Sequence, residues 1–266
     1  MNLQSQISQT QATGYMRLYK YRNLTNAWNI LDIIANQRLY LSPLDSLNDP
    51  MEMKTEQAKA VIRSYLSEKT YDRSPTESEI SFAKNQGLTV SEYDGASLGE
   101  LMLGLQTQNF SRICSLSEDA RSATMWSHYA DGHQGICFEF ELNSALPVVY
   151  WSAEKINNRF SASYMMRLFA RLNSGSTSRR MQSVYMYEKL KKLYCIKQRD
   201  WAYEREWRLF GYGRNFHVLR DGECLARVLV GQRISAYHYE ILRKLLPSHI
   251  PVVKTKIVSG KVIEVS

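Results

Sequence analysis

The run Trp201-Ala202-Tyr203-Glu204-Arg205-Glu206-Trp207-Arg208 packs two carboxylates and two guanidinium groups into eight residues. Residues 203–212 read as a strand. Its period of two places Glu204, Glu206 and Arg208 on one face, with Arg205 and Trp207 on the other. Burying charge is costly unless it is paired, so such a face implies a purpose. Arg208 can hold one carboxylate ionised and oriented while the other acts on a substrate. The competing reading is an exposed sheet face carrying a surface salt bridge.

Three further clusters have chemical character. Met125-Trp126-Ser127-His128-Tyr129-Ala130-Asp131-Gly132 reads as a helix with Met125, Trp126 and Tyr129 on one side. His128 and Asp131, three apart, share another side. A histidine with a carboxylate partner can act as a base or an orienting donor. The alternative makes Trp126 and Tyr129 core residues and His128 a hydrogen-bonded rim residue. In Tyr19-Lys20-Tyr21-Arg22, alternation puts the tyrosines on one face and the cations on the other. One face can stack a flat ring and the other can hold a phosphate. The competing reading is a half-buried strand with a solvated basic edge. Residues 42–52 contain Ser42, Asn48, Asp49 and Glu52 around Leu47-Asn48-Asp49-Pro50. Asx residues before proline initiate turns by bonding their own backbone, while Glu52 keeps a binding role open. Gly211-Tyr212-Gly213 lacks the third glycine of a dinucleotide fingerprint, and there is no Gly-x-Ser-x-Gly elbow.

The elements that must position these groups follow from periodicity. Residues 16–21, 38–42, 110–116, 134–141, 147–151, 226–230, 252–258 and 261–265 read as strands. Helices are expected over 25–36, with Trp28, Leu31 and Ile34 at helical spacing, and over 122–130 and 236–246. Polar helices fill 52–108, and two helices separated by residues 173–177 fill 152–199. Strands, then helices, then strands without regular alternation predict an α+β fold rather than a doubly wound sheet. Residues 1–13 read as a flexible polar tail, and 14–266 as a single globular domain.

Composition bounds the function. The chain of 266 residues is 44% hydrophobic and 23% charged, which excludes a disordered or collagen-like protein. No apolar run reaches the length of a membrane span, and the polar N-terminus does not read as a signal peptide. The four cysteines, Cys114, Cys137, Cys195 and Cys224, form no Cys-x-x-Cys pair. Free thiols in a reducing cytoplasm and no metal site are the expectation. Residues 151–200 hold 11 Lys or Arg against 3 Asp or Glu, so the entire net charge of +8 lies there. With Phe160, Tyr164, Tyr185, Tyr187 and Tyr194 interleaved, this segment suggests an anionic partner such as nucleic acid or a nucleotide. The competing reading is a solvated helix face.

Lys20-Tyr21-Arg22, Asn48-Asp49-Pro50, Cys114-Ser115, the Trp-x-His-Tyr-Ala-Asp helix from Trp126 and the Tyr-Glu-x-Glu-Trp-Arg run from Tyr203 occur in that order, followed by Val230-Gly231 and Ile234. Together they resemble, nearly end to end, a widespread bacterial family of unknown function. Met51 stands where an aromatic is common and Leu116 where Phe is usual. That family is similar to the ADP-ribosyltransferase-like superfamily. The resemblance implies a core of two small, mostly antiparallel sheets with flanking helices and a cleft that binds NAD. It implies an enzyme of bacterial conflict or stress response, a toxin among the readings, that modifies a nucleic acid or protein acceptor. Arg22 or Tyr21 would take the dinucleotide, and Glu206, with Glu204 before it, the ribose. The candidate set is Glu206, Glu204 and His128 for catalysis, and Tyr19, Tyr21, Arg22, Ser42, Asn48, Asp49, Trp126, Tyr129 and Arg208 for binding NAD. The alternative is a non-catalytic nucleic-acid or nucleotide binding module built on residues 151–200.

Overall fold

The computed structural model describes residues 14–25, 27–49, 52, 74–85, 112–159, 194–211 and 214–265. The expected tail, most of the helices expected over 52–108 and the basic residues 160–193 lie outside these. The strands are β1 (Met16–Arg22), β2 (Arg38–Tyr40), β3 (Ser42–Pro43), β4 (Arg112–Ser117), β5 (Ile136–Leu142), β6 (Leu146–Pro147) and β7 (Val149–Trp151). They continue with β8 (Ile196–Gln198), β9 (Glu206–Gly211), β10 (Phe216–Val218), β11 (Cys224–Val230), β12 (Val252–Val258) and β13 (Lys261–Val265). The helices are α1 (Ala27–Asn36), α2 (Glu77–Asn85), α3 (Ala123–Tyr129), α4 (Ala153–Arg159) and α5 (Ala236–Leu245). The fold is mixed α+β.

Alternation in β1, β5 and β11 builds two apolar layers on opposite faces of one sheet. Leu18, Phe138, Phe140 and Val228 pack on one face with Ile30, Ile33 and Ile34 of α1. Tyr21, Cys137 and Leu229 pack on the other with Trp126 of α3. Burial of such side chains supplies the main driving force for the fold. In α1 the stripe that reaches the core is Ile30, Ile33 and Ile34, not the expected Trp28, Leu31 and Ile34; Trp28 is 80% exposed. The expected strand over 38–42 divides at Leu41: β2 pairs with β10, and β3 pairs with β4. Cys114 of β4 and Cys137 of β5 are buried, free thiols.

Instead of two small sheets, the described residues form one nine-stranded sheet, ordered β13-β12-β11-β5-β1-β4-β9-β6 with β3 beside β4, and two two-stranded ribbons, β10-β2 and β7-β8. The large sheet is nearly divided all the same. All seven residues of β1 pair with β5, but only Tyr19 pairs with β4, opposite Ser117. Beyond that point β1 continues along β5 and β4 continues along β9. The Lys20 ammonium, not a backbone N–H, donates to the Ser115 carbonyl across the gap. The sheet therefore forks between β1 and β4.

Candidate functional site

A cavity of about 160 Å³ occupies this fork. Its lining includes Tyr19, Tyr21, Arg22, Ser42, Asn48, Tyr129, Glu204 and Glu206, eight of the twelve candidate residues. Both faces of β1 contribute because the strand borders the opening itself. Gly135, at the entry to β5, lets the backbone approach this edge. A Cβ there would lie 2.2 Å from the Arg22 carbonyl oxygen and 2.9 Å from that of Ala130.

The two glutamates reach the cavity by a route other than the expected strand. Residues Arg199–Glu204 form a 3-10 turn, Arg205 takes the left-handed conformation at φ 46° and ψ 52°, and β9 starts only at Glu206. A non-glycine residue at positive φ needs tertiary support. Glu118 supplies it: it accepts from Arg205 Nε at 2.6 Å and from Trp207 Nε1 at 3.1 Å. Its own N–H donates to the Arg205 carbonyl at 3.0 Å.

Lys197, which the sequence reading did not single out, joins the carboxylates. Its Nζ lies 2.6 Å from Glu204 Oε2, 3.1 Å from Glu206 Oε2 and 3.3 Å from Glu52 Oε1. The parallel β7–β8 ribbon sets it opposite Tyr150, whose hydroxyl accepts from the Glu206 N–H at 2.7 Å. Arg208 lies behind the cavity wall and is not among its lining residues. It donates from Nε to Glu206 Oε1 at 2.8 Å and from Nη2 to Glu206 Oε2 at 3.0 Å and Glu52 Oε1 at 2.9 Å, and from Nη1 to the Tyr194 carbonyl. No sequence signal pointed to Lys197; the need for it follows from the structure, where three carboxylates, Glu52, Glu204 and Glu206, are buried and of these Arg208 bonds only Glu52 and Glu206.

The environments push the two glutamates apart. Burial raises Glu204, and the Lys197 ammonium and Tyr129 hydroxyl offset only part of it, so its carboxyl sits above the ordinary value. Burial also acts on Glu206, but Arg208 and then Lys197 outweigh it and hold that carboxyl at about 2. Lys197 is held protonated: burial opposes its charge, and Glu206, Glu204 and Glu52 more than compensate. Two carboxyl groups driven in opposite directions are the arrangement that assigns acid–base and electrostatic roles.

The opposite wall differs. Lys20 and Arg22 make no ion pair among the described residues, and burial lowers the pKa of each. Arg22 Nε and Glu52 Oε2 are buried without hydrogen-bond partners. An unpaired buried donor and acceptor each cost free energy that a ligand can return.

Helix α3 carries the remaining candidates. Ser122 caps it by accepting from the Met125 N–H at 3.3 Å, and Trp126 anchors it through Nε1 to the Ala120 carbonyl at 2.7 Å. Tyr129 is thereby aimed at the cavity, where its hydroxyl donates to Glu204 Oε1. Trp126 itself is 0% exposed and meets Tyr21 edge-on at 5.5 Å. It belongs to the core, where no ligand can stack on it. His128 is exposed and lies 3.2 Å from Tyr203 Oη through Nδ1. It does not line the cavity, and the described structure shows no pairing with Asp131. The helix ends at Tyr129 and Asp131 turns away at φ 50°, so helical spacing no longer applies. Asp49 is fully buried and accepts from the Gln198 N–H at 3.4 Å, outside the cavity lining. Among the described residues no three His, Cys, Asp or Glu side chains group as metal ligands, and no helix is long and apolar enough to cross a membrane.

The site is thus a forked-sheet cavity with a lysine-bridged carboxylate set on one wall and two cations on the other. A family model described as a protein of unknown function, DUF2971, matches residues 125–209. That span begins in α3 and ends in β9, and it holds Tyr129, Lys197, Glu204, Glu206 and Arg208. No curated protein and no solved structure matches the chain.

Proposed function

We propose that the chain is an ADP-ribosyltransferase-like enzyme, one that takes NAD into the β1–β4 fork and transfers its ADP-ribosyl group. The observation that carries the reading is the pair Glu204 and Glu206, bridged by Lys197 and driven to opposite protonation behaviour, facing Arg22 and its unpartnered Nε across one cavity. A cavity of about 160 Å³ is of the size that takes a single ring, so it suits the nicotinamide–ribose end of the dinucleotide. Arg22 and Lys20 suit the diphosphate through charge-assisted bonds.

The bond from ribose C1′ to the pyridinium nitrogen breaks, and its electron pair leaves with neutral nicotinamide. Positive charge then develops on the ribose. Glu206, fixed as an anion, stabilises that charge more in the transition state than in the ground state. Glu204 accepts the proton that the acceptor nucleophile loses as its bond to C1′ forms. Residues 151–200, whose sequence carries the net charge of +8, serve the same reading as the segment that draws an anionic acceptor, with a role in bacterial conflict or stress response.

The test is incubation of the protein with NAD labelled in the nicotinamide and, separately, in the adenylate, with bacterial lysate or RNA as acceptor. Release of nicotinamide, with Glu206→Gln reducing it by about 100-fold or more, is the expected result. Absence of release by wild type, or full turnover by Glu206→Gln, overturns the proposal.

A further inference from the structure

A carboxylate that accepts a proton in each turnover must also lose it. Glu204 lines a cavity that the substrate itself would fill, and burial raises its carboxyl, so the fold tends to retain the proton. Its partners Lys197 and Tyr129 differ in what they can do. Lys197 is opposed by burial but held protonated by three carboxylates, so it cannot take the proton. Tyr129 offers a hydroxyl, which can accept on one side and donate on the other. From it a line of hydrogen bonds leads away from the cavity. The Tyr129 hydroxyl, which donates to Glu204 Oε1, is bonded to the Tyr203 hydroxyl. Tyr203 Oη lies 3.2 Å from His128 Nδ1. Glu204 is buried and His128 is exposed. The line therefore joins a buried carboxyl to solvent, with two side chains from α3 and one from the 3-10 turn.

We propose that Tyr129, Tyr203 and His128 form a relay that carries a proton from Glu204 to solvent. Its part in turnover rests on the reading of Glu204 as the proton acceptor; the relay itself does not. With Glu204 protonated, its O–H donates to Tyr129, Tyr129 donates to Tyr203, and Tyr203 donates to Nδ1 of neutral His128. The three O–H bonds break, and new bonds to hydrogen form at Tyr129, Tyr203 and His128 Nδ1. Each tyrosine gains one proton and loses one. The end state is a Glu204 carboxylate and a His128 imidazolium, with Tyr129 donating to Glu204 as it does in the structure. His128 then gives its Nε2 proton to water. The Asn48 side chain, also bonded to the Tyr129 hydroxyl, keeps that oxygen satisfied before and after the transfer. Burial raises both tyrosines above the ordinary phenol value, so neither stays ionised after a hop. Histidine suits the solvent end, because one ring nitrogen can take a proton while the other releases one.

The experiment has two arms. Histidine nitrogen-15 NMR on the full chain without NAD reads the state of His128 Nδ1 in wild type, Glu204→Gln, Tyr203→Phe and the double variant. Glu204→Gln should move the Nδ1 resonance, and Tyr203→Phe should abolish most of that response, since the double-mutant cycle isolates what the hydroxyl transmits. The second arm measures nicotinamide release. Tyr203→Phe and His128→Ala should each lower kcat by at least about 10-fold, short of the roughly 100-fold lost with a group that takes the proton directly, and leave KM unchanged. Added imidazole should restore His128→Ala but not Tyr203→Phe, a distinction that a purely structural role does not make. A His128 resonance indifferent to Glu204→Gln, or a response that survives Tyr203→Phe, overturns the proposal. So does wild-type kcat in either variant, or a loss in His128→Ala that imidazole leaves in place. Coupling of His128 to Glu204 through Tyr203 without NAD turnover would uphold the relay and count against the catalytic reading alone.

Discussion

Replacing Arg208 by Met removes a fully buried guanidinium while keeping much of its volume. Three bonds of 2.8–3.0 Å to Glu206 and Glu52 are lost, along with the donor to the Tyr194 carbonyl. Breaking a buried pair by deleting one partner costs about 3–5 kcal/mol, because the other charge stays buried. That cost has two parts that pH separates. Packing loss is the same at every pH. The charge part is not, because Glu206 is held at about 2 in the native protein, chiefly against burial by Arg208. A depressed carboxyl contributes stability that is fully present above its unfolded pKa and is lost as pH falls towards the folded value. A shift from 4.5 to about 2 corresponds to about 3 kcal/mol. In Arg208→Met, burial dominates, Glu206 prefers to be protonated, and the variant gains stability as the pH falls. Urea denaturation of both proteins from pH 7 to pH 4.5 should show a difference of about 3–5 kcal/mol that shrinks steadily on acidification. A difference that is independent of pH would refute the assignment of Arg208 as the group that keeps Glu206 ionised.

Two shorter predictions concern the walls of the fork. Gly135→Ala places a methyl group 2.2 Å from the Arg22 carbonyl oxygen. This backbone overlap should destabilise the protein by about 1–3 kcal/mol in urea denaturation, with no dependence on pH. Tyr129→Phe removes the hydroxyl that donates to Glu204; since that bond lowers the carboxyl, the Glu204 signal in a carbon-13 carboxyl titration should move to still higher pH, and stability should fall by about 1 kcal/mol.

Much of the site was legible because residue type alone announced it. Two glutamates and an arginine within five positions, or Lys20 and Arg22 ending a tyrosine-rich strand, carry their chemistry wherever the backbone puts them. The geometry was legible only where local rules govern it. Alternation placed Lys20 and Arg22 opposite Tyr19 and Tyr21 correctly, since β1 pairs with β5 along its whole length. It failed from Tyr203 to Arg205, where the backbone is set by Glu118, far away in sequence. The three-residue spacing of His128 and Asp131 failed because the helix stops between them. Lys197 was hidden for the same reason that it matters: its partners come from Glu52, Glu204 and Glu206, and no local pattern links those positions. The fork was likewise invisible, because where two strands part is a matter of register between β1 and a strand more than ninety residues later.

Stability alone does not account for this cluster. Buried ionic groups can often be exchanged for apolar residues of similar size at little cost, or with a gain. A set in which Glu52 Oε2 and Arg22 Nε lack partners is further from an optimum still. If the two wall glutamates are divided between a fixed charge and a proton acceptor, their neutral analogues must act on stability unequally. Glu206→Gln at pH 7 strips Arg208 and Lys197 of a shared anion and should cost about 2–4 kcal/mol. Glu204 is in the reverse position: its pKa is raised, so the fold disfavours its charged form. Glu204→Gln keeps the shape and can still accept from Lys197, so it should leave stability unchanged or raise it by up to about 1 kcal/mol. Denaturation of the two variants under one set of conditions decides the matter. Equal losses would mean that both carboxylates are structural counter-ions, and the division of labour on which the proposed chemistry depends would be gone.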